Sequence, residues 1–186
     1  MRYTGAVMRQ VPRLPVAALV ELVNGWGTVP RARGGARPRP SAAEFASRHP
    51  TLRAPDGDLD DTLLETAADA VYPVFAAPDA QAKALRVTAL LEQLAVRPAV
   101  TVEDGNVRAG WLVPRRADVV PASVVVGLYE HLLASGADRL GTCASGSCGD
   151  VYVDASPGAH RRFCSLTCQN RERVAAFRRR KADAGS

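Results

Sequence analysis

Apolar residues in the first three quarters of the chain recur at helical spacing in three segments. Leu19, Leu22 and Val23 form a stripe that leads to Trp26, with Pro15 suited to the first turn of that helix. A second stripe contains Leu63, Leu64, Ala67, Val71 and Val74. A third contains Leu85, Leu90, Leu91 and Leu94. The pattern predicts a domain made mainly of amphipathic helices.

Residues that begin or end helices flank these stripes. Ser41 and Glu44 have capping-box spacing and predict a short helix. Asp60 or Asp61 is expected to cap the second stripe, and Pro73 to kink or end it. Pro78 and Asp79 open the third helix, and Pro121 opens a last helix that ends near Ser135 and Gly136.

The period changes between Ala99 and Val113. Two runs rich in β-formers flank Asp104-Gly105-Asn106, which is typical of a tight hairpin. The segment RARGGARPRP, from Arg31 to Pro40, is interpreted as a surface loop, or alternatively as a basic arm that touches nucleic acid. We therefore predict an α+β protein, with a mainly helical domain and small β-hairpin at residues 1–138 and a second module at 139–186.

All four cysteines lie in the second module, as Cys143-x4-Cys148 and Cys164-x3-Cys168. Two close thiol pairs suit the four tetrahedral ligands of zinc, and Gly146 and Gly149 suit a thiolate knuckle. Two disulfides, or a redox or catalytic thiol, are the alternatives. Four thiolates leave no open position for a hydrolytic zinc, and His160 is interpreted as a surface residue.

The elements around the cysteines indicate the architecture of the module. The first pair is followed by a short strand, Val151-Tyr152-Val153, and a turn at 154–158, and the second pair lies where a helix starts. The order of knuckle, β element and helix predicts a treble-clef or ribbon-like zinc module. The clustered cysteines and the absence of a clear signal peptide favour a reducing, cytoplasmic location. We expect no membrane-spanning segment, since no run of about 18 apolar residues exists.

Charge is concentrated at the end of the chain. Net charge is +5, yet the segment 161–181 alone contains eight basic residues and one acid, Glu172. A cationic block on a nearly neutral body favours a polyanion, with nucleic acid first and an acidic membrane surface second. Of the nucleic acids we favour DNA over RNA. The candidate contacts are Arg161, Arg162, Arg171, Arg173, Arg178, Arg179, Arg180 and Lys181. The alternatives are a solvated cationic tail and, for Arg162, an ion pair with Asp154.

The last helix has one apolar seam. At about 100° per residue, Leu166, Asn170, Val174 and Phe177 share a side, which we expect to be buried. On that face Asn170 is expected to bond the zinc knuckle, although an adenine contact is the alternative. Asp154 and Ser156 are expected to support the finger as turn and cap residues.

The sequence CASGSCGDVYVDASPGAHRRFCSLTCQNR resembles the zinc finger of the CGNR family. The family's pattern is matched by Asp154, Ser156, Arg162, Phe163, Cys164, Ser165, Cys168, Asn170 and Arg171, whereas Gln169 replaces its Gly. Leu22-Val23-Asn24 resembles the signature of the ABATE domain, which precedes this finger in the family. The resemblance implies a stress-related transcription regulator or an RNA-binding protein, with Zn²⁺ as cofactor. A bacterial source is indicated separately by the composition, which has 22 Arg and only two Lys.

The first domain contains no sequence motif for catalysis. It has no phosphate loop and no clustered carboxylates near a His, and Trp26, Trp111, His49 and His131 are expected to be structural. Three hypotheses remain: a DNA-binding regulator with a first domain that senses or oligomerises, an RNA-binding protein, and an enzyme or small-molecule-binding protein with a structural finger. We favour the first and expect no enzymatic activity.

Overall fold

The computed structural model describes residues 8–34, 38–52 and 59–183. Within these ranges the chain forms seven α-helices and five strands. In chain order they are β1 (Arg9–Gln10), α1 (Val16–Trp26), α2 (Thr28–Arg33), α3 (Ala42–Arg48), α4 (Asp61–Ala76), α5 (Ala80–Gln93), β2 (Arg97–Glu103), β3 (Asn106–Val113), α6 (Val119–Ser135), β4 (Leu140–Thr142), β5 (Val151–Val153) and α7 (Leu166–Asp183). The prediction of a mixed, mainly helical fold is confirmed.

Helices α1, α4, α5 and α6 enclose the main hydrophobic core. The stripe predicted for α1 is buried, with Leu19, Leu22, Val23 and Trp26 fully covered. The indole Nε1 of Trp26 donates to Asp61 Oδ1 at 2.8 Å, which satisfies the one polar atom of this core residue. The stripes predicted for α1 and α4 thus supply much of this core.

The stripe predicted for α5 is only partly buried. Leu85 is 63% exposed, so its assignment to the buried face is wrong, and the buried residues of α5 are Lys83 and Val87. The Nζ of Lys83 donates to the carbonyls of Ala137 and Leu140, and these hydrogen bonds hold the Lys83 side of α5 inward.

Side-chain caps begin three helices at the predicted residues. Ser41 and Glu44 form the reciprocal capping box of α3. The carboxylates of Asp60 and Asp79 accept from backbone N–H groups at the starts of α4 and α5. Pro73 does not end α4, which continues to Ala76, because the buried Val74 and Phe75 hold the last turn against the core.

The hairpin is built on a two-residue turn. Asp104 and Gly105 have φ values of 51° and 77°, as a type I′ turn requires, and β2 and β3 pair antiparallel from Glu103↔Asn106 to Arg97↔Leu112. The strand β1 adds to the other edge of β3, giving the order β1-β3-β2. Strand β1 was not predicted, since a two-residue strand has no periodicity to recognise.

Helix α6 is long and strongly apolar. By length and composition the segment 116–135 could span a membrane. In the fold it is a core helix, and Val124, Val125, Val126 and Leu128 are buried between the main core and the sheet. Its C-terminus is at Gly136, where the sequence predicted a glycine stop and where φ is 88°.

The predicted loop at 31–40 begins as a helix. Helix α2 includes Arg31 to Arg33, so the loop interpretation is wrong for these residues, while residues 35–37 lie outside the described residues. The helix is short and has no apolar stripe. It forms where Gly27 separates it from α1 and where Pro30 is buried.

The hairpin of β4 and β5 packs against the helical domain. Its strands pair Leu140↔Val153 and Thr142↔Val151, and Leu140 and Val151 are buried in the same core as α1 and α4. The zinc module therefore starts from strands that share the core of the first domain.

Candidate zinc centre and basic helix

The four cysteines converge at one point. Cys143 follows β4, Cys148 closes the loop between β4 and β5, Cys164 precedes α7 and Cys168 lies in its first turn. Their Sγ atoms all lie within 4.8 Å of one another. The elements that bring them together are a short hairpin and a helix start, as the spacing predicted.

The sulfur separations fit a tetrahedral metal site. Cys164 Sγ lies 3.6 Å from Cys148 Sγ and 3.6 Å from Cys168 Sγ. Four thiolates at about 2.3 Å from one zinc ion stand about 3.8 Å apart, whereas a disulfide needs about 2.05 Å. All four cysteines are free. The donor set is thus that of a closed structural Zn²⁺ site, and the disulfide alternative does not fit this geometry.

Two of the four thiols, those of Cys148 and Cys164, are hard to ionise without a cation. Burial raises the pKa of Cys148 to about 11, and burial together with hydrogen bonds among the thiols raises the pKa of Cys164. For Cys168, burial acts in the same direction, but hydrogen bonds from Ser165 and the other thiols lower its pKa. A divalent cation would stabilise the thiolates and displace their protons, so metal affinity should fall in acid.

Asp154 organises the turn between the two cysteine pairs. Its Oδ1 accepts from the backbone N–H of Ser156 at 2.8 Å, and its Oδ2 from that of Arg161 at 2.7 Å. Hydrogen bonds to Ser156 and Arg161 lower its pKa from 3.8 to about 2. Because the folded-state pKa lies below the unfolded value, the ionised carboxylate stabilises the turn above about pH 4, and this stabilisation is lost as pH falls toward 2.

Arg161 is occupied by the finger itself. Its guanidinium donates to the carbonyls of Val153, Phe163 and Cys164 and lies 5.1 Å from the centre of the Tyr152 ring. These hydrogen bonds give Arg161 a structural role in the finger, and its predicted contact with nucleic acid stays a prediction. Arg162 does not pair with Asp154 but lies over the ring of Phe163.

Two residues fix α7 on the zinc cluster. Ser165 caps the helix, its Oγ accepting from the N–H of Cys168 at 3.2 Å. Glu172 lies one turn after Cys168, and its Oε1 accepts from Ser145 Oγ at 2.9 Å and from the N–H of Gly146 at 3.3 Å. The side of α7 that contains Cys168 and Glu172 therefore faces the finger.

The predicted buried face of α7 is consequently wrong. Leu166, Val174 and Phe177 are 77%, 49% and 61% exposed, and Asn170 is exposed as well. These residues lie opposite Cys168 and Glu172 around the helix. The ligand cysteine must point at the metal cluster, and this requirement outweighs the burial of three apolar side chains.

Asn170 does not bond the zinc knuckle. In the described part of the chain its amide has no hydrogen-bond partner, so the structural role expected for it is not found. It lies on the outer face of α7, among the exposed apolar residues.

The remaining basic candidates face solvent. They are Arg162, Arg171, Arg173, Arg178, Arg179, Arg180 and Lys181. Among these side chains, Arg171 donates to Ser147 Oγ at 3.0 Å, and none of the seven forms a salt bridge with a described residue. A cleft of about 470 Å³ adjoins the start of α7. It is lined by His160, Arg161, Arg162, Phe163, Ser165, Leu166 and Gln169.

Two residues that join the finger to the first domain were missed as contacts. The amide of Asn24 donates to Val151 O at 3.0 Å and accepts from Val151 N at 2.8 Å. Gly149 packs so tightly on α2 that a Cβ would lie 2.7 Å from Val29 O. The only sequence signal was the Leu22-Val23-Asn24 signature, which does not reveal its partner 127 residues away.

The comparison with known families agrees with this geometry. No curated protein matches the chain. The model of the CGNR zinc finger matches residues 139–181, which begin just before β4 and end within α7, and include all four cysteines. This segment of the chain is thus similar to the CGNR zinc finger.

Proposed function

We propose that this protein binds nucleic acid through its zinc module and acts as a DNA-binding transcriptional regulator. The module would be a treble-clef type of finger, with Zn²⁺ held by Cys143, Cys148, Cys164 and Cys168. Residues 1–138 would form an ABATE-like unit that senses an unidentified small molecule or oligomerises. The protein would work in the cytoplasm, in a stress response, without enzymatic activity.

One observation carries the proposal. Helix α7 is fixed on the finger by Cys168 and Glu172, and its cationic residues are exposed without acidic partners among the described residues. Unpaired arginines on a rigid helix offer a row of phosphate contacts at little entropic cost. A solvated tail would not need a helix held against the finger at Cys168 and Glu172.

The exposed apolar residues on the outer face of α7 could also contact nucleic acid. Leu166, Val174 and Phe177 run along the helix between two rows of arginines. Apolar side chains in such a place pack against sugars and the thymine methyl group, while the flanking guanidinium groups bind phosphates. The exposed Asn170 lies on this face, where it can bond a base edge.

The cleft at the start of α7 would extend this surface. Arg162 and His160 line it, and the half-buried ring of Phe163 forms part of its wall. The N-terminus of α7 adds a partial positive charge to the same place. A phosphate at this position would continue the row bound by the helix.

RNA is the second candidate. The exposed ring of Phe177 among arginines favours it, because unpaired bases stack on aromatic side chains. On a duplex the ring would pack only against sugars and methyl groups, because the paired bases are stacked on one another. Binding to single strands should therefore depend on Phe177 more than binding to duplex DNA.

The test is a salt titration of binding by fluorescence anisotropy, with duplex DNA, hairpin RNA and single-stranded DNA of equal length. If three to five arginines neutralise phosphates, the slope of log affinity against log salt on duplex DNA should be about −3 to −5. Replacing Arg171, Arg173, Arg178, Arg179 and Arg180 with Gln should flatten the slope and nearly abolish binding while zinc stays bound.

A matched control separates the surface from net charge. Replacing Arg178 and Arg180 with Gln removes the same charge as replacing the exposed Arg9 and Arg86 of the first domain, which lie outside α7 and β2. Only the first variant should weaken binding by an order of magnitude. Equal losses would mean a general charge effect, and no loss in the five-arginine variant would leave α7 a solvated helix.

A further inference from the structure

The β2–β3 hairpin has an apolar face that continues beyond the helix it packs on. Near the body, Val113 is fully buried and Trp111 stacks edge-on against Tyr129 of α6, with ring centres 5.2 Å apart. Farther out on the same face, Val100, Val102 and Val107 are 78%, 69% and 73% exposed. In the described chain this outer patch has no cover.

Among the described residues, no strand pairs with the outer edge of β2. In a hairpin with a two-residue turn, Glu103 and Asn106 exchange hydrogen bonds, and every second residue of β2 then points its backbone away from β3. These outward residues are Pro98, Val100 and Val102. Trp111, which is paired with Pro98, supports this assignment. The carbonyl of Trp111 points away from β2 and accepts from the N–H of Val11.

We propose that β2 pairs with β2 of a second copy of this chain, antiparallel, about a two-fold axis at Val100. This register places Val100 opposite Val100 and Pro98 opposite Val102. It forms about four N–H···O=C bonds across the axis, two fewer than a strand without proline would form. The two sheets become one.

The open edge of β2 is self-complementary, and we therefore take a second copy of the chain as its binding partner. The valine patches of the two hairpins lie side by side on one face of the joined sheet, so each covers part of the other. The strand begins at Arg97 and ends at Glu103, and the axis sets a basic position opposite an acidic one at both ends. Opposite charges at paired positions stabilise a register, and like charges would oppose it.

The pairing has a consequence for the zinc module. Strand pairing over seven residues covers less than the roughly 1,600 Å² of a stable interface, so the dimer should form reversibly with concentration. Each dimer would contain two zinc modules and two basic helices. The dimer does not depend on nucleic-acid binding, so the dimer and the proposed nucleic-acid-binding function can be tested and rejected independently.

The experiment is sedimentation velocity of the zinc-loaded full chain over a wide concentration range, without nucleic acid. Val100→Pro removes the outward N–H of Val100 and leaves the β2–β3 bonds in place, since that N–H points to the open edge. It should raise the dimer dissociation constant about tenfold or more, because about two cross-axis hydrogen bonds are lost.

Val102→Lys tests the same edge through its side chain and keeps every backbone donor. It should also dissociate the dimer, by placing a charge on each apolar patch. Leu133→Lys changes an equally exposed apolar residue, 71% accessible on α6, and should leave the dimer intact. If Val100→Pro unfolds the hairpin, as judged by amide NMR spectra, Val102→Lys alone decides.

Either of two results would overturn the proposal. A protein that stays monomeric at every concentration has no such dimer. A dimer that survives both β2 variants, or that Leu133→Lys disrupts equally, uses another surface.

Discussion

Helices α1 and α7 both have an apolar stripe, yet they use it in opposite ways. In α1 the stripe is the buried face, and Leu19, Leu22 and Val23 are fully covered. In α7 the stripe faces solvent, because Cys168 and Glu172 turn the other side toward the finger. Where burial is the main force on a helix, periodicity predicts its orientation. Where a metal ligand lies on the helix, the ligand determines it.

The strongest test of this contrast is to replace one of the four cysteines expected to bind zinc. Cys164→Ser should abolish stable zinc binding and unfold the α7 region, because metal binding supplies about 10–16 kcal/mol in small zinc modules. The core around α1 should persist. Metal analysis measures the first effect, and limited trypsin digestion with mass spectrometry measures the second.

The digestion also tests how far the first domain extends. Since Leu140 and Val151 lie in its core, the protected fragment should continue past Val153 rather than end near residue 138. A fragment that ends before β4 would mean that the hairpin depends on zinc. Loss of protection over the whole chain at once would mean a single cooperative unit.

A pair of leucine truncations compares the two stripes directly. Leu22→Ala in α1 should cost about 2–5 kcal/mol of unfolding free energy, since the residue is fully buried. Leu166→Ala in α7 should cost less than about 0.5 kcal/mol, since its side chain is exposed. Urea denaturation of the zinc-loaded protein measures both. A comparable loss at Leu166 would contradict the orientation of α7.

Two asparagines give a smaller contrast of the same kind. Asn24→Ala should cost about 1–3 kcal/mol, because it leaves the N–H and C=O of Val151 without partners. Asn170→Ala should leave stability nearly unchanged and affect only nucleic-acid binding. Thermal denaturation and anisotropy titrations on the same preparations distinguish them. A larger stability loss at Asn170 would restore the role that the sequence suggested for it.

Arg161 and Arg162 are expected to differ in role, one stabilising the finger and the other binding nucleic acid. The effects of replacing them should be the smallest of those predicted. Arg161→Gln should speed zinc loss to a chelator, because three backbone carbonyls lose their donor. Arg162→Gln should leave zinc release unchanged and weaken nucleic-acid binding a fewfold. Chelator kinetics and anisotropy are the measurements. Equal rates of zinc release in the two variants would argue against a structural role for Arg161.

The sequence by itself determined the parts of this protein that depend on neighbours in the chain. Capping residues such as Ser41 and Asp79 act within one helical turn, the turn at Asp104-Gly105 within one hairpin, and the four thiols have a metal-binding chemistry that is evident from residue type. These features appear in the structure where the sequence placed them, because the forces that produce them act over a few residues.

Only the tertiary structure decided the features set by distant contacts. The face of α7, the separate roles of Arg161 and Arg162, and the bridge from Asn24 to Val151 all depend on partners that no local pattern names. A helical wheel ranks the sides of α7 by hydrophobicity, whereas the fold orients it by the direction in which Cys168 must point. The physical reason is that a closed thiolate cluster constrains a helix more strongly than the exposure of a few apolar side chains.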